Sequence, residues 1–485
     1  MSTTAPRRAL SGTNINVNLL KAEYAVRGAI AVRSEEHRAT LSHSDVPSSH
    51  GLPFDSVISA NIGNPQQLDQ QPITFFRQVL SILEYPALLE TEGIYPEDVK
   101  ARARTLLKEV GSVGAYSQSQ GVAAIRKSVA AFIERRDGHP SNFADIFLTG
   151  GASSGVNTLL NTICRGPETG ILIPIPQYPL YTATLALLNA TAVPYYLDEP
   201  HEWSTNVPLI RSQLAKAKSD GIDVRCIAVI NPGNPTGASL SEGDIEAVLD
   251  LAAEEHLVVM ADEVYQTNVY RGEFHSFKKV LRNMQARKGG EKYSHVELVS
   301  LHSTSKGMVG ECGHRGGYFE LVNFDPEVQA QIYKLVSITL CPPVIGQCLV
   351  ELMVNPPKVG EESHPRYQAE YDGIYNGLKK RSQALYSAFK SMTGVSCQDP
   401  QGAMYIFPTI TLSKRAQEKA ASEGKKPDEY YCLRMLDATG ICVVPGSGFG
   451  QTEGTWHFRT TFLPPGTDWV DRMREFHEAF MEEFK

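Results

Sequence analysis

The sequence predicts an α/β protein built on a three-layer, mainly parallel, seven-stranded sheet, with a smaller α+β domain beside it. Seven short apolar runs recur from residue 145 onward, with helical stretches between many of them. These runs are continuously apolar, as in Cys226-Ile-Ala-Val-Ile230 and Leu257-Val-Val-Met260. Strands covered by helices on both faces need apolar side chains on both, whereas one-sided sheets alternate. After residue 350 the pattern changes to long helices and strand fragments.

In order, the predicted strands are Asp145 to Thr149, Gly170 to Pro176, Val193 to Leu197, Arg225 to Asn231, Leu257 to Asp262, Val296 to Ser303 and Gly316 to Leu321. A helix from Gly155 to Cys164 follows a Gly-rich turn, and another from Ser241 to Glu255 has Ser241 and Asp244 placed to cap its start. Further on, a charged helix from Tyr367 to Lys390 precedes strand-like pieces at Ala403 to Phe407, Ile441 to Val444 and Thr455 to Thr461, and a last helix runs from Trp469 to Phe484. Leu412 to Pro427, rich in Lys, Glu and Ala, reads as an exposed helix or mobile loop without chemistry. At roughly 150 residues per domain a chain of 485 residues suggests about three domains. The strand map reduces these to two: a large domain, 66–350, and a discontinuous small domain, 1–65 plus 351–485, that includes an N-terminal arm.

Lys plus Arg number 46 against 54 Asp plus Glu, a net charge of -8, which argues against a nucleic-acid or anionic-membrane partner. The longest apolar runs are strand-sized, well short of the ~20 residues that span a bilayer. Eight cysteines without a CxxC pair fit neither a disulfide framework nor a zinc knuckle, so a reducing compartment and no metal are expected. Arg7, Arg8 and Lys21 precede the first acid, Glu23, but without an amphipathic stripe. The expected location is the cytoplasm, with the mitochondrion as the alternative.

Ligands of open α/β sheets sit beyond the carboxyl ends of the strands, so the residues just after each run carry the chemistry. Thr149-Gly-Gly-Ala-Ser-Ser-Gly155 leads into a helix whose free N–H groups suit a phosphate, although such turns are common; it lacks the spacing of a nucleotide P-loop. Gly446-Ser-Gly-Phe-Gly450 lacks it too and reads mainly as a loop. Pro176-Gln-Tyr178-Pro-Leu-Tyr181 offers an aromatic ring near the first turn, or simply packs its rings on the core. In Asn231-Pro-Gly-Asn234-Pro-Thr-Gly237 a tight turn explains Gly and Pro but not two prolines each preceded by Asn. Asp262 ends an apolar strand, where a carboxylate needs a cation, a donor or a helix to cap. Ser303-Thr-Ser305-Lys306-Gly307 puts a lysine among small hydroxyl residues, with Arg315 nine positions later flanked by glycines. Together these elements ask for a flat aromatic cation carrying a phosphate and an aldehyde, which describes pyridoxal phosphate.

The ordered set NPGNPTG, ADEVYQ, STSKG and HRGG resembles the class I, fold-type I aminotransferases over nearly the whole chain. Glu23-Tyr-Ala-Val-Arg-Gly28, Gly114-Ala-Tyr-Ser-Gln-Ser-Gln-Gly121, Leu301-His-Ser-Thr-Ser-Lys-Gly307 and Gly310-Glu-Cys-Gly313 are most similar to the alanine aminotransferase subfamily. The resemblance implies that Lys306 bonds the cofactor aldehyde and moves the substrate proton. Asp262 would partner the pyridine nitrogen, Asn234 and Tyr265 the ring hydroxyl, and Tyr178 would stack on the ring. Ala152, Ser153, Ser303, Ser305 and Arg315 would hold the phosphate. Arg459 would bind the substrate carboxylate from the small domain, with Gly63 closing over it beside Asn234 and Tyr178. Tyr116 would reach the phosphate of a neighbouring subunit, which implies a homodimer with shared sites. In many relatives the phosphate arginine stands eight residues after the lysine; here that position is His314, and the alanine aminotransferase pattern assigns the role to Arg315.

The implied reaction is ping-pong transamination between L-alanine plus 2-oxoglutarate and pyruvate plus L-glutamate. The residues themselves establish less: pyridoxal chemistry on a substrate with a carboxylate. Alternatives are a class I aminotransferase acting on glyoxylate, aromatic or branched-chain substrates, a lyase such as an aminocyclopropane-carboxylate synthase, or a non-enzymatic regulator. The regulator would need an added DNA-binding domain, and no basic helix-turn-helix pattern precedes Gly63.

Overall fold

The computed structural model describes residues 9, 10, 12, 14–24, 28–42 and 51–485. Arg7, Arg8 and part of the Glu23 to Gly28 motif lie outside them. Seven strands form the main sheet: β1 (Ile146–Thr149), β2 (Thr169–Ile175), β3 (Thr191–Tyr196), β4 (Asp223–Ile230), β5 (Val258–Asp262), β6 (Leu298–Ser303) and β7 (Gly317–Val322). Their spatial order is β1-β7-β6-β5-β4-β2-β3, and β7 alone runs antiparallel to its neighbours. All seven predicted strands are present within a few residues of their expected bounds.

The continuous apolar runs resolve into two alternating faces. Leu172, Ile227 and Val259 point to one side, against the helices Val207–Ser219, Glu242–Glu255 and Phe277–Ala286. Ile171, Ile173, Cys226 and Met260 point to the other, against Ala152–Ile163 and Leu180–Leu187. Each buried aliphatic side chain contributes about 1.5–3 kcal/mol, so both layers are held by the sheet they cover. Ser241 and Asp244 form a reciprocal capping box at the start of Glu242–Glu255.

The helices used below are α1 (Ala123–Asp137), α2 (Ala152–Ile163), α3 (Val344–Val354), α4 (His364–Ser391) and α5 (Asp468–Glu483). A third apolar cluster packs α1 and α3 with Thr74–Glu84 and Glu97–Val110. A fourth gathers α4, α5, Pro427–Thr439 and the short strands after residue 400. Ile58–Ser59 pairs in parallel with Ile441–Cys442, tying the N-terminal segment to the C-terminal region. Within Leu412 to Pro427 the helix Lys414–Ser422 buries Ala416 and Ala420, so this stretch is anchored to the core. Among the described residues no helix is long and apolar enough to cross a membrane, and no cluster of His, Cys, Asp or Glu is placed to hold a metal.

Candidate active site

The register places Ile230 beside Asp262 and Asp262 beside Leu301, so the carboxyl ends of β4, β5 and β6 open into one cavity of about 370 Å³. Asp262, the last residue of β5, lies on its floor. One carboxylate oxygen accepts from the Tyr181 hydroxyl at 3.0 Å and the other from the Val264 amide at 3.4 Å. Burial raises its pKa to about 6, the two donors and the charge of Lys306 offsetting only part of the desolvation. Among the described residues no cation forms an ion pair with this acid, and Lys306 acts on it only through its charge.

Lys306 stands three residues beyond β6, and its Nζ donates to the carbonyl of Gly63. The turn that presents it depends on Gly307, whose φ of 68° is left-handed and whose Cβ would come 2.5 Å from the Thr267 hydroxyl. The Gly307 amide donates to Asn268 at 2.9 Å, fixing the turn to the segment after β5.

An anion cradle forms where β1 meets α2. Gly151 has φ 92°, and a Cβ there would lie 2.5 Å from an Arg315 guanidinium nitrogen. Ala152 and Ser153 open α2 at the cavity wall, where amides without helical partners and the positive end of the helix dipole meet. Ser303 and Ser305 line the same wall, the Ser303 hydroxyl accepting from the Ser305 amide at 3.2 Å. Arg315 lies against the same turn and donates to the carbonyls of Cys312 at 2.8 Å and Gly150 at 2.9 Å. Its φ of 56° swings the side chain into the cavity. His314 instead pairs with Glu311 at 2.9 Å in a separate outer cleft beside Arg77.

The two asparagines of the 231–237 turn divide their work. Asn231 is structural, accepting from Leu240 at 3.0 Å and donating to His275 at 3.3 Å. Asn234 lines the cavity, and its carbonyl accepts from Arg459 at 3.1 Å. Arg459, on the strand Phe458–Thr461, is 1% exposed. Its guanidinium lies 4.2 Å from the Tyr405 ring centroid and 4.7 Å from that of Phe449, and it also donates to the Asn61 carbonyl. Among the described residues no carboxylate pairs with it, and its buried Nε has no partner. A buried cation without an anion is costly, and a ligand carboxylate would complete it.

Tyr265 is buried and donates to Tyr405 at 3.4 Å; burial drives its own pKa well above the usual tyrosine value. Burial alone would raise Tyr405 as well, but the charges of Lys306 and Arg459 more than offset it and leave Tyr405 lowered. Tyr178 lines the cavity with its hydroxyl 2.5 Å from that of Tyr24, a residue of the N-terminal segment. Gly63 also lines it. Tyr116 does not join this constellation: it is 79% exposed, outside the cavity of its own chain.

Residues 80–472 match the family described as "Aminotransferase class I and II". The chain belongs to this family. It is 53% identical to the mitochondrial alanine aminotransferase of Saccharomyces cerevisiae, across 99% of this chain and 82% of that protein. It is also 48% identical to an "inactive alanine aminotransferase" of the same yeast, across 99% and 96% of the two chains. Among solved structures an alanine aminotransferase from Pyrococcus furiosus superposes with a TM-score of 0.75 at 25% identity, covering 97% of this chain and all of the other. The fold is therefore the fold-type I aminotransferase fold, and family membership implies pyridoxal phosphate.

Four aromatic residues complete this aminotransferase cavity. Tyr405 and Phe449 sandwich the arginine, Tyr181 hydrogen-bonds the aspartate, and Tyr24 reaches Tyr178. Tyr405 and Phe449 are buried rings in short strands or turns and share their composition with the core. Phe449 sits within the Gly446 to Gly450 segment that reads as a plain loop, where the glycines mark a close approach to residues 175 and 457.

Proposed function

We propose that this aminotransferase catalyses ping-pong transfer of an amino group between L-alanine and 2-oxoglutarate, giving pyruvate and L-glutamate. Relatives named as alanine aminotransferases support alanine as the amino donor. The observation that carries the reading is Arg459, a fully buried guanidinium lacking a carboxylate among the described residues, across a small cavity from Lys306. A cavity of about 370 Å³ filled in part by a cofactor suits a substrate with a short side chain.

The residues present fit pyridoxal phosphate. Asp262, buried and short of a cation, suits a protonated ring nitrogen; the Gly151–Ser153 turn with Ser303, Ser305 and Arg315 suits a phosphate. Asn234 and Tyr265 stand as donors to the ring hydroxyl, and Tyr178 as the stacking ring. When bound, the cofactor supplies an electron sink for the carbanion left by loss of the substrate's α-proton. Lys306 is the base that takes this proton and returns it, and its hold on Gly63 couples it to the segment that closes the site. Arg459 grips the α-carboxylate and so aims the breaking C–H bond at Lys306. The inactive yeast relative makes direct assay essential.

The division into 66–350 and 1–65 plus 351–485 accompanies this reading, supported by the strand pairing of residues 58–59 with 441–442. A homodimer is proposed on the same basis. Tyr116, at 79% exposure, adjoins Ser117, which Gln347 holds at 2.9 Å while also binding Pro342, next to exposed Leu340 and Ile338. The cytoplasm is proposed over the mitochondrion; the yeast relative's name supports the alternative, and imaging of the tagged chain decides.

Purified enzyme is expected to show visible pyridoxal absorbance that Lys306→Ala shifts. Turnover with alanine and 2-oxoglutarate should exceed that with aspartate, tyrosine, leucine or glyoxylate. An unchanged spectrum in the variant would remove the cofactor reading, and equal turnover would remove the substrate reading.

A further inference from the structure

The turn carrying Lys306 also walls a second cavity, of about 670 Å³, larger than the first. It lies between α1, α3 and the start of α4, and its lining includes the rings of Phe132 and Tyr367 and the side chain of Met353. Its ionisable lining is one-sided: Arg135, Lys358 and His364 join His302 and Lys306, with no Asp or Glu. Arg135 spends one nitrogen on the Val354 carbonyl at 3.0 Å, and among the described residues none of Arg135, Lys358 and His364 forms an ion pair.

His302 is 4% exposed, and its Nδ1 is buried without a hydrogen-bond partner. Burial, helped by the charge of Arg136, holds its pKa down to about 3, so the ring is neutral. A neutral imidazole with an unpaired nitrogen in the wall of an apolar cavity is a polar group awaiting one contact. At the exposed side Arg135 and Lys358 outnumber the one carboxylate bonded there, that of Glu361 on the Lys358 amide at 2.8 Å, and supply the other half of a recognition pattern.

We propose that this cavity is a second ligand site, taking a monocarboxylate with a largely apolar, ring-sized body. The carboxylate sits at the Arg135 and Lys358 rim, the ring packs on Phe132 and Tyr367, and a hydroxyl on the ring meets His302 Nδ1. Small-molecule sites combine mostly apolar walls with a few placed polar groups in this way. The inference goes beyond the proposed transamination and stands whether or not that reading holds, since binding is read directly.

The test is calorimetric titration of the cofactor-loaded enzyme with 4-(4-hydroxyphenyl)butanoate, and with 4-(4-hydroxyphenyl)butan-1-ol as the uncharged comparator. The acid is expected to bind at least about tenfold more tightly than the alcohol. Arg135→Ala combined with Lys358→Ala should weaken it by a similar factor. Met353→Trp, which pushes a larger ring into the cavity beside Phe132 and Tyr367, should weaken binding by at least about tenfold, and the rim variant carries the test if that one fails to fold. Arg459→Ala should leave the affinity within about twofold, because the ligand does not enter the first cavity. Absence of heat at millimolar acid, loss of binding in Arg459→Ala, or indifference to both the rim and the filling variants overturns the proposal.

Discussion

The carbonyl of Gly63 accepts a hydrogen bond from Lys306 Nζ, linking the N-terminal segment to the turn after β6. A side chain at position 63 has no room: its Cβ would strike the Tyr405 hydroxyl and lie 2.9 Å from Lys306 Nζ. Gly63→Ala should therefore displace Tyr405 and the lysine together. Overpacking of this kind costs about 1–3 kcal/mol, while kcat/KM should fall by about a hundredfold. Thermal melting alongside steady-state kinetics checks it; a stability loss with kinetics unchanged would make Gly63 a packing residue only.

Asp262 links function to pH. Its pKa in the folded, cofactor-free chain is about 6, above the ordinary carboxylate value, so between about pH 4 and pH 6 the folded state holds a proton that the unfolded state has released. The burial is thus a cost fully present above pH 6, and it disappears as pH falls below about 4. Cofactor-free Asp262→Asn should melt higher than the parent at pH 8, by up to about 3 kcal/mol, with the gap closing toward pH 4. The loaded variant should lose at least about a hundredfold in turnover. A gap that stays constant with pH would show that Asp262 is not the titrating group.

Arg315 and His314 compete in sequence for the phosphate, and the backbone separates them. The left-handed φ of Arg315 points it into the cavity, and His314 turns to Glu311, a buried acid that also pairs with Arg77 at 2.8 Å. Arg315→Ala should weaken cofactor retention by about tenfold or more during dialysis, and His314→Ala by no more than about twofold. The reverse order of effects would transfer the phosphate role to His314.

Much of this was legible in the chain because the sheet and the polar strand ends obey local rules. Buried parallel strands must be continuously apolar, and Asp262, Asn234 and Lys306 stand out because polar residues directly after such strands are conspicuous. Tyr405, Phe449 and Tyr181 were not legible: each is an aromatic residue whose contact with a charge arises only when distant segments meet. The resemblance singles out Asn234, and the bracing role of Asn231 appears only in its tertiary partners, Leu240 and His275.

Arg459 gives the sharpest test of substrate recognition. Its planar fork donates to Asn61 and Asn234 with the rings of Tyr405 and Phe449 against it, and its buried Nε is left without a partner. Lysine keeps the charge but loses the fork and the stacking. Arg459→Lys should raise KM for alanine and 2-oxoglutarate and lower kcat/KM by about 10²–10³-fold, as expected for loss of a bidentate, desolvated contact. With L-alaninol, which has no carboxylate, single-turnover rates should be slow in both enzymes and differ by less than about threefold. The contrast between the two substrates matters more than either rate. A variant equally impaired on both would have lost the architecture of the site, and the arginine would then be a structural cation held by its two aromatic rings.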